Sequence, residues 1–263
     1  ILYWLGLKSN IHVIKNASVL VTLLSVVSLG MDWRNNYFAA QVNRLPLFFN
    51  KAFITGMVVM AAMLLNLKWV RRDQEKALFW GMIPIPLFGH ILGAAAMLVM
   101  YMVGFRELHY QSFAITRSVD FQHVIWGCWH FLFVAAIMWY VKRFCEMNVQ
   151  KVLGALAAIS LLLYPVADLW ITDLRMVCLQ QPEIYSLFYF HFLIPLAALG
   201  GLALLIQFLI KQHRLSGILT QWAPWFLTLA GLFILSAEVV HLWVVAAYEP
   251  GFDWSETARK AVK

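Results

Sequence analysis

The sequence predicts an all-α fold, a polytopic transmembrane helical bundle of about seven spans. Hydrophobic residues make up 62% of the 263 residues, charged residues make up 13%, and the mean hydropathy is +0.74. A soluble domain contains about 25% charged residues, so a soluble protein of this composition would expose much apolar surface. Several segments run for about 20 residues with few or no charges, which is the length that a helix needs to cross a bilayer.

Each span is predicted from an apolar run, and all are expected to be helices because lipid offers the backbone no other hydrogen-bond partner. The second run ends beside basic residues near Arg71, and the fourth ends at Lys142. Pro84 and Pro86 break the third run, and a kink is expected near Pro195 in the sixth. One transmembrane domain, residues 1–263, is predicted, with spans at residues 17–31, 52–70, 77–105, 121–141, 152–167, 184–210 and 222–245.

The distribution of charge predicts the orientation of these spans. The chain has 20 Lys and Arg residues against 13 Asp and Glu residues, a net charge of +7. Short loops rich in Lys and Arg lie on the side that carries Lys8, here named side A, and longer mixed loops lie on the opposite side, side B. Side A is therefore predicted to be cytoplasmic, with the N-terminus inside and the long loops in the periplasm. Basic clusters beside spans attract anionic lipid, so membrane lipid is the expected partner and nucleic acid is not.

The two ends of the chain resemble the interior of a longer protein. Residues 1–7 are apolar and look like the end of a span, and residues 257–263 look like a run into a further segment. We expect this sequence to be a portion of a longer chain. Its further partners would then be other membrane subunits or the remaining spans of the same chain.

Three short motifs carry a resemblance to a known family. They read FNKAFITG at residues 49–56, SAEVVHL at residues 236–242 and ETARKA at residues 256–261. Together they resemble a large bacterial family of predicted multi-span inner-membrane proteins of unknown function, whose members are longer than this chain. The resemblance implies a helical membrane architecture and a location in the bacterial inner membrane. It carries no activity and no catalytic residue over to this chain.

Ionisable side chains at membrane depth are costly, and each therefore marks a functional hypothesis. Glu238 and His241 lie three residues apart in the seventh span, on one helix face. His191 in the sixth span and His123 in the fourth are expected in the same, side B half of the membrane. These four residues predict an intramembrane polar site, with Glu238 as proton acceptor or cation ligand.

The segments predicted as side B loops, at residues 32–37, 106–110, 168–175 and 248–254, mix aromatic residues with charges of both signs. One interpretation is an interfacial belt of Trp and Tyr with solvated charges. The other is a polar cavity that opens to side B, in which arginines hold an anionic headgroup through charge-assisted hydrogen bonds. The residues predicted at the mouth of that cavity are Arg34, Arg106, Asp168 and Arg175.

The histidines also suggest metal and haem chemistry. A Glu-x-x-His pair is half of a di-iron site, but the sequence has no second such pair at depth, which argues against that site. Imidazole and carboxylate together suit zinc. His90 and His130, near the middle of their spans, are the first pair to test as ligands of a b-type haem. Histidines hydrogen-bonded between helices explain the same pattern without a cofactor, so no metal site is predicted and the cofactor stays open.

Three functions follow from these interpretations. The first is an inner-membrane protein with a periplasm-facing polar cavity that transports or handles a lipid or glycan component of the cell envelope. The second is a haem-b electron carrier that uses His90 and His130. The third is a non-catalytic membrane scaffold subunit. No Walker, GxSxG or HExxH motif points to a soluble enzyme class, and the sequence leaves open whether the protein is an enzyme.

Overall fold

The structure, a computed structural model, describes residues 2–38, 45–144, 147–211 and 217–248. Within these residues, 7 helical stretches are long and apolar enough to cross a membrane. They confirm the predicted all-α transmembrane class. The chain divides into two compact units, Ile1–Ile115 and Thr116–Lys263, each with its own apolar core.

The first unit is built from α-helices and one small hairpin. Its helices are α1 (Leu2–Ser9), α2 (His12–Trp33), α3 (Lys51–Val70) and α4 (Ile85–Thr116). The end of α2 continues as a π-helix at Arg34–Phe38. Between α3 and α4, β1 (Ala77–Leu78) pairs antiparallel with β2 (Ile83–Pro84) across a 3₁₀ turn at Phe79–Gly81.

The second unit is helical throughout its described residues. Its elements are α5 (Val119–Phe144), α6 (Met147–Leu161), α7 (Tyr164–Gln180), a 3₁₀ helix (Pro182–Phe192), α8 (Leu193–Lys211) and α9 (Gly217–Ala246). Only a short break separates α6 from α7, and together they form one candidate crossing, Val149–Gln180. The 3₁₀ helix and α8 form another, Tyr185–Leu209.

Local chemistry explains where several helices begin and end. The Asn50 side chain caps α3 by accepting a 2.8 Å hydrogen bond from the backbone N–H of Phe53. Asn10 follows α1 at a φ of 56°, a left-handed conformation that asparagine tolerates. Pro86 and Pro165 lie in the first turns of α4 and α7, where the missing N–H would have had no helical partner.

The third and sixth spans differ from the sequence prediction at their prolines. α4 begins at Ile85 and not at Ala77, so Pro84 ends the hairpin and Pro86 opens the helix, and neither breaks a span. α8 begins at Leu193, directly after the 3₁₀ helix. Pro195 therefore lies in the first turn of α8, where proline needs no kink.

Three segments that were predicted as side B loops are helical, and those predictions were wrong. α4 continues through Arg106 to Thr116, α7 contains both Asp168 and Arg175, and residues 32–37 belong to α2 and the π-helix. The apolar runs end where polar side chains begin, but the helices continue there. Glu107, Asp168 and Arg175 have hydrogen-bond partners inside the protein. The predicted side B loop at residues 248–254 lies outside the described residues from residue 249 onward, and so does the motif at residues 256–261.

Gly56 and Gly127 each lie at a close approach between two helices. A Cβ atom at Gly56 on α3 would lie 2.7 Å from Val103 Cγ2 on α4, in the first unit. A Cβ atom at Gly127 on α5 would lie 2.8 Å from Ile194 Cδ1 on α8, in the second unit. Small residues at such points let helix backbones approach closely, which is how membrane helices gain packing energy.

Replacing Gly127 with valine should therefore destabilise the second unit. Overpacking of this kind costs about 1–3 kcal/mol, and we expect a lower midpoint of thermal unfolding in detergent, followed by circular dichroism. Gly200→Val is the matched control, because a Cβ atom at Gly200 would meet nothing within 4 Å. Equal midpoints for the two variants would contradict the close α5–α8 contact.

Candidate functional site: a polar network in the second unit

Six polar side chains converge in the second unit on α7, the 3₁₀ helix and α9. They are named here the polar network: Tyr164, Asp168, Arg175, His191, Glu238 and His241. The three on α7 are separated by four and seven residues, a spacing that places them on one helix face. Glu238 and His241, three residues apart on α9, also share a face.

His191 and Glu238 form the buried end of the network. His191 Nε2 lies 3.2 Å from Glu238 Oε2, and the Tyr164 hydroxyl donates a 3.3 Å hydrogen bond to Glu238 Oε1. The other ring nitrogen of His191, Nδ1, contacts the backbone carbonyl of Phe188. In a 3₁₀ helix residues i and i+3 eclipse, which explains why the rings of Phe188 and His191 stack with centroids 4.1 Å apart.

These contacts determine where protons can lie on the His191–Glu238 pair. A carbonyl oxygen only accepts hydrogen bonds, so His191 Nδ1 must carry a hydrogen. Two lone pairs facing each other between Nε2 and the carboxylate would repel, so one further proton must lie between them. The pair is therefore either imidazolium with carboxylate or neutral imidazole with carboxylic acid, and in both forms it holds one shared proton.

His241 is held in a different way, between a cation and an anion. Arg175 Nη1 donates a 3.0 Å hydrogen bond to His241 Nδ1, and His241 Nε2 lies 2.9 Å from Asp168 Oδ1. Arginine has no acceptor, so His241 Nδ1 must present a lone pair. His241 is thus neutral, and its Nε2–H donates to Asp168. Arg175 lies ~10 Å farther along α7 than Asp168, and its side chain extends back toward the helix N-terminus.

The formal charges of the network cancel when the shared proton is present. Arg175 contributes one positive charge and Asp168 one negative charge, His241 and Tyr164 are neutral, and the His191–Glu238 pair sums to zero. Neutrality of this kind lowers the cost of placing ionisable groups at membrane depth. The buried Arg175 Nε has no hydrogen-bond partner among the described residues, so the network keeps one unused donor.

Most of the residues predicted for the intramembrane site do come together. His191, Glu238 and His241 are in the network, and so are Asp168 and Arg175, which were predicted at a cavity mouth. His123 is elsewhere: its ring stacks on Trp170, with centroids 5.3 Å apart. Trp170 follows Asp168 by two residues, roughly 200° around α7, so His123 packs against a different face of that helix.

The remaining predicted residues are spread over both units. Arg34 and Arg106 line one cavity of about 430 Å³ between α2 and α4 of the first unit. His90 is exposed on α4, and His130 is half-buried on α5; their pairing by haem stays a prediction. Among the described residues, no three His, Cys, Asp or Glu side chains are grouped so that they could hold a metal ion.

The sequence did not predict one member of the polar network, Tyr164, or one backbone partner, the Phe188 carbonyl. Tyr164 precedes Asp168 by four residues, and this helical spacing is a signal that could have placed its hydroxyl in the network. The Phe188 carbonyl has no such signal. It depends on the 3₁₀ conformation of residues 182–192, which the apolar sequence of that segment does not indicate.

Two buried charge clusters in the first unit were also missed. Glu107, predicted as a loop residue, is 0% exposed and accepts hydrogen bonds from Tyr37, Asn50, Gln111 and the backbone N–H of Phe48. Carboxylates that accept several hydrogen bonds are stabilised in the charged form. This arrangement ties α4 to the segment that leads into α3.

The second cluster surrounds Lys15, which precedes the first predicted span at residues 17–31. Lys15 lies on α2, is 2% exposed, and contacts Asp73 at 3.1 Å and Glu75 at 2.5 Å. The Tyr3 hydroxyl donates a 2.8 Å hydrogen bond to Asp73. Burial raises the pKa of the Tyr3 hydroxyl far above its ordinary value, and the neighbouring Asp73 adds to the rise, so Tyr3 stays a neutral donor.

No protein-family model matches this chain, and no curated protein or solved structure matches it either. The resemblance to a bacterial membrane-protein family accordingly stays a prediction. What the site does must be argued from its geometry.

Asp168→Asn should destabilise the second unit, because it removes the negative charge that balances Arg175 through His241. The amide can still accept the hydrogen bond from His241 Nε2–H, but a hydrogen bond to a neutral acceptor contributes about 1 kcal/mol less than one to a charged acceptor. This loss should lower the midpoint of thermal unfolding in detergent. Asp173→Asn is the matched control, since Asp173 is an exposed carboxylate on the same helix. A midpoint for Asp168→Asn equal to that of the control would show that the network does not depend on this charge.

Proposed function

We propose that this multi-pass protein of the bacterial inner membrane transports or handles an anionic component of the cell envelope, and that the His191–Glu238 pair takes up and releases one proton during that process. The observation that carries the proposal is the 3.2 Å contact between His191 Nε2 and Glu238 Oε2, from which the shared proton is inferred. That the chain is an integral membrane protein follows separately from its 7 apolar helices among the described residues.

The charge balance of the network supports a proton that leaves and returns to the His191–Glu238 pair as other charges move. When the pair loses its proton, the network acquires a net charge of minus one in a buried setting, which is costly. Release is therefore favoured only when a cation arrives, when an anion leaves, or when the site opens to water. A group with this property couples its own protonation to the movement of another charge.

Exposure along the network supports a path from the buried pair to the surface. The exposed fraction of the side chain is 0% for His191, 13% for Glu238 and 24% for Asp168. His241 lies between the two carboxylates, because its ring centroid is 5.8 Å from that of His191 and its Nε2 contacts Asp168. We propose that this path opens to the periplasm, on the side predicted from the loop charges.

The remaining parts of the proposal come from the sequence. Membrane lipid is the proposed partner, together with further membrane spans of the same chain or of other subunits. The haem carrier and the scaffold stay predictions, and the proton pair is what favours transport over both. A scaffold would need only the hydrogen bond between the helices, whereas transport coupled to a proton needs a pair that can also release it.

Glu238→Gln should remove the carboxyl group that shares the proton while preserving the shape of the pair. We expect the infrared difference spectrum between acidic and alkaline pH, recorded on the protein in liposomes, to show one carboxyl group and one imidazole changing together. In Glu238→Gln the carboxyl signal should disappear and the imidazole signal should shift. Asp173→Asn is the control and should leave both signals in place; a spectrum unchanged by Glu238→Gln would refute the proton pair.

The transport half of the proposal predicts that Glu238 is needed for activity. We expect the reconstituted chain to speed the movement of fluorescent phosphatidylglycerol between leaflets when a pH gradient is imposed across the vesicle. Glu238→Gln should reduce that rate to the level of protein-free vesicles, with expression and folding unchanged. Retained activity in Glu238→Gln would end its assignment as the proton acceptor, whereas loss in Asp173→Asn as well would show that the effect is not specific.

A further inference from the structure

The cavity of the first unit has apolar walls formed by two helical stripes. Its lining residues on α2 and on α4 recur at intervals of three and four, which places each set on one helix face. The apolar residues of the two stripes are Val26, Leu29, Trp33, Leu98, Val99 and Met102. Walls of this kind fit a hydrocarbon chain and give a small hydrophilic solute nothing to bind.

One end of the cavity carries two arginines. Arg34 follows the α2 stripe and Arg106 ends the α4 stripe. Two pairs of residues show that both stripes run in the same direction. Trp33 on α2 and Val103 on α4 lie at the same level, because a Cβ atom at Gly56 would lie within 3.6 Å of both. One turn farther on, Tyr37 donates a 2.8 Å hydrogen bond to Glu107. The two guanidinium groups therefore lie at the same end.

Among the described residues, positive charge exceeds negative charge at this end of the first unit. The described carboxylates there are Asp32, which lies 3.6 Å from Lys51, and the buried Glu107. Arg34, Lys51 and Arg106 give three described cations against these two anions, a surplus of one positive charge. An anionic group beside the two arginines would balance this surplus.

We propose that this cavity binds an anionic phospholipid, with an acyl chain against the apolar stripes and the phosphate beside Arg34 and Arg106. Guanidinium groups bind phosphate oxygens through paired, charge-assisted hydrogen bonds. The acyl chain of a phospholipid matches the apolar stripes, and its phosphate matches the two arginines. The proposal concerns equilibrium binding to the first unit, so it holds or fails independently of the proton pair in the second.

Gly30 offers a way to fill the cavity without disturbing the fold. It lies on α2 within the cavity lining, and a Cβ atom there would meet nothing within 4 Å. Gly30→Leu should therefore place its side chain in the cavity and improve the helix propensity of α2. Gly200→Leu is the matched control, because Gly200 also has open space around its Cβ position and lies outside the cavity.

The charge of the cavity is tested by a second pair of variants. Arg34→Gln removes one guanidinium group from the cavity. Arg71→Gln removes an exposed guanidinium group from the end of α3, in the same unit but outside the cavity lining. The two variants have the same change in net charge, so general attraction to an anionic membrane surface is equal in both.

The experiment is photo-crosslinking of the full chain in lipid nanodiscs that contain a trace of diazirine-labelled phosphatidylglycerol. Cross-linked peptides are identified by mass spectrometry. We expect labels on the α2 and α4 stripes, with unlabelled phosphatidylglycerol as a better competitor than phosphatidylcholine. Gly30→Leu should lower the yield about tenfold, and Arg34→Gln should abolish the preference for phosphatidylglycerol, with both controls like the unaltered protein.

Three results would overturn the proposal. Labels that map outside α2 and α4 in the unaltered protein would show that the cavity is not the site. Equal competition by the two lipids would show that bulk lipid fills it without selection. An unchanged yield in Gly30→Leu, with its unfolding midpoint preserved, would show that the labelled lipid lies outside the cavity.

Discussion

Hydrogen-bond satisfaction without water is the constraint on which the interior of both units depends. Lipid tails offer polar groups no partner, so each buried charge must be matched by another side chain or by the backbone. The second unit meets this condition with two histidines, two carboxylates, an arginine and a tyrosine. The first meets it by surrounding Glu107 with four donors and Lys15 with two carboxylates.

The two histidines of the polar network have similar neighbours, but only His191 can share a proton with its carboxylate in two ways. Both present Nε2 to a carboxylate. At His241 the other nitrogen accepts from Arg175, which excludes a second proton on the ring. At His191 the other nitrogen donates to a carbonyl, which leaves the Nε2 proton free to lie on either the imidazole or Glu238. The difference comes from the partner of Nδ1, a cationic donor in one case and a neutral acceptor in the other.

The same constraint shapes the cavity of the first unit. Glu107 is committed to internal donors, one of which is Asn50, the residue that caps α3. A buried carboxylate therefore organises the start of a neighbouring helix, while Arg34 and Arg106 remain beside the cavity. Buried pairs support the fold, and the described cations at this end, Arg34, Lys51 and Arg106, outnumber its two carboxylates by one.

The sequence by itself determined the transmembrane class, the approximate position of the spans and the shared face of Glu238 and His241, because hydropathy and helical spacing are local properties. It failed where a helix continues past its apolar run, as at Glu107 and Asp168, since both side chains there have partners distant in the chain. Only the tertiary structure decided that His191 and not His123 meets Glu238. The rotation of a helix about its axis is set by packing against its neighbours, and the order of residues along one span does not contain that information.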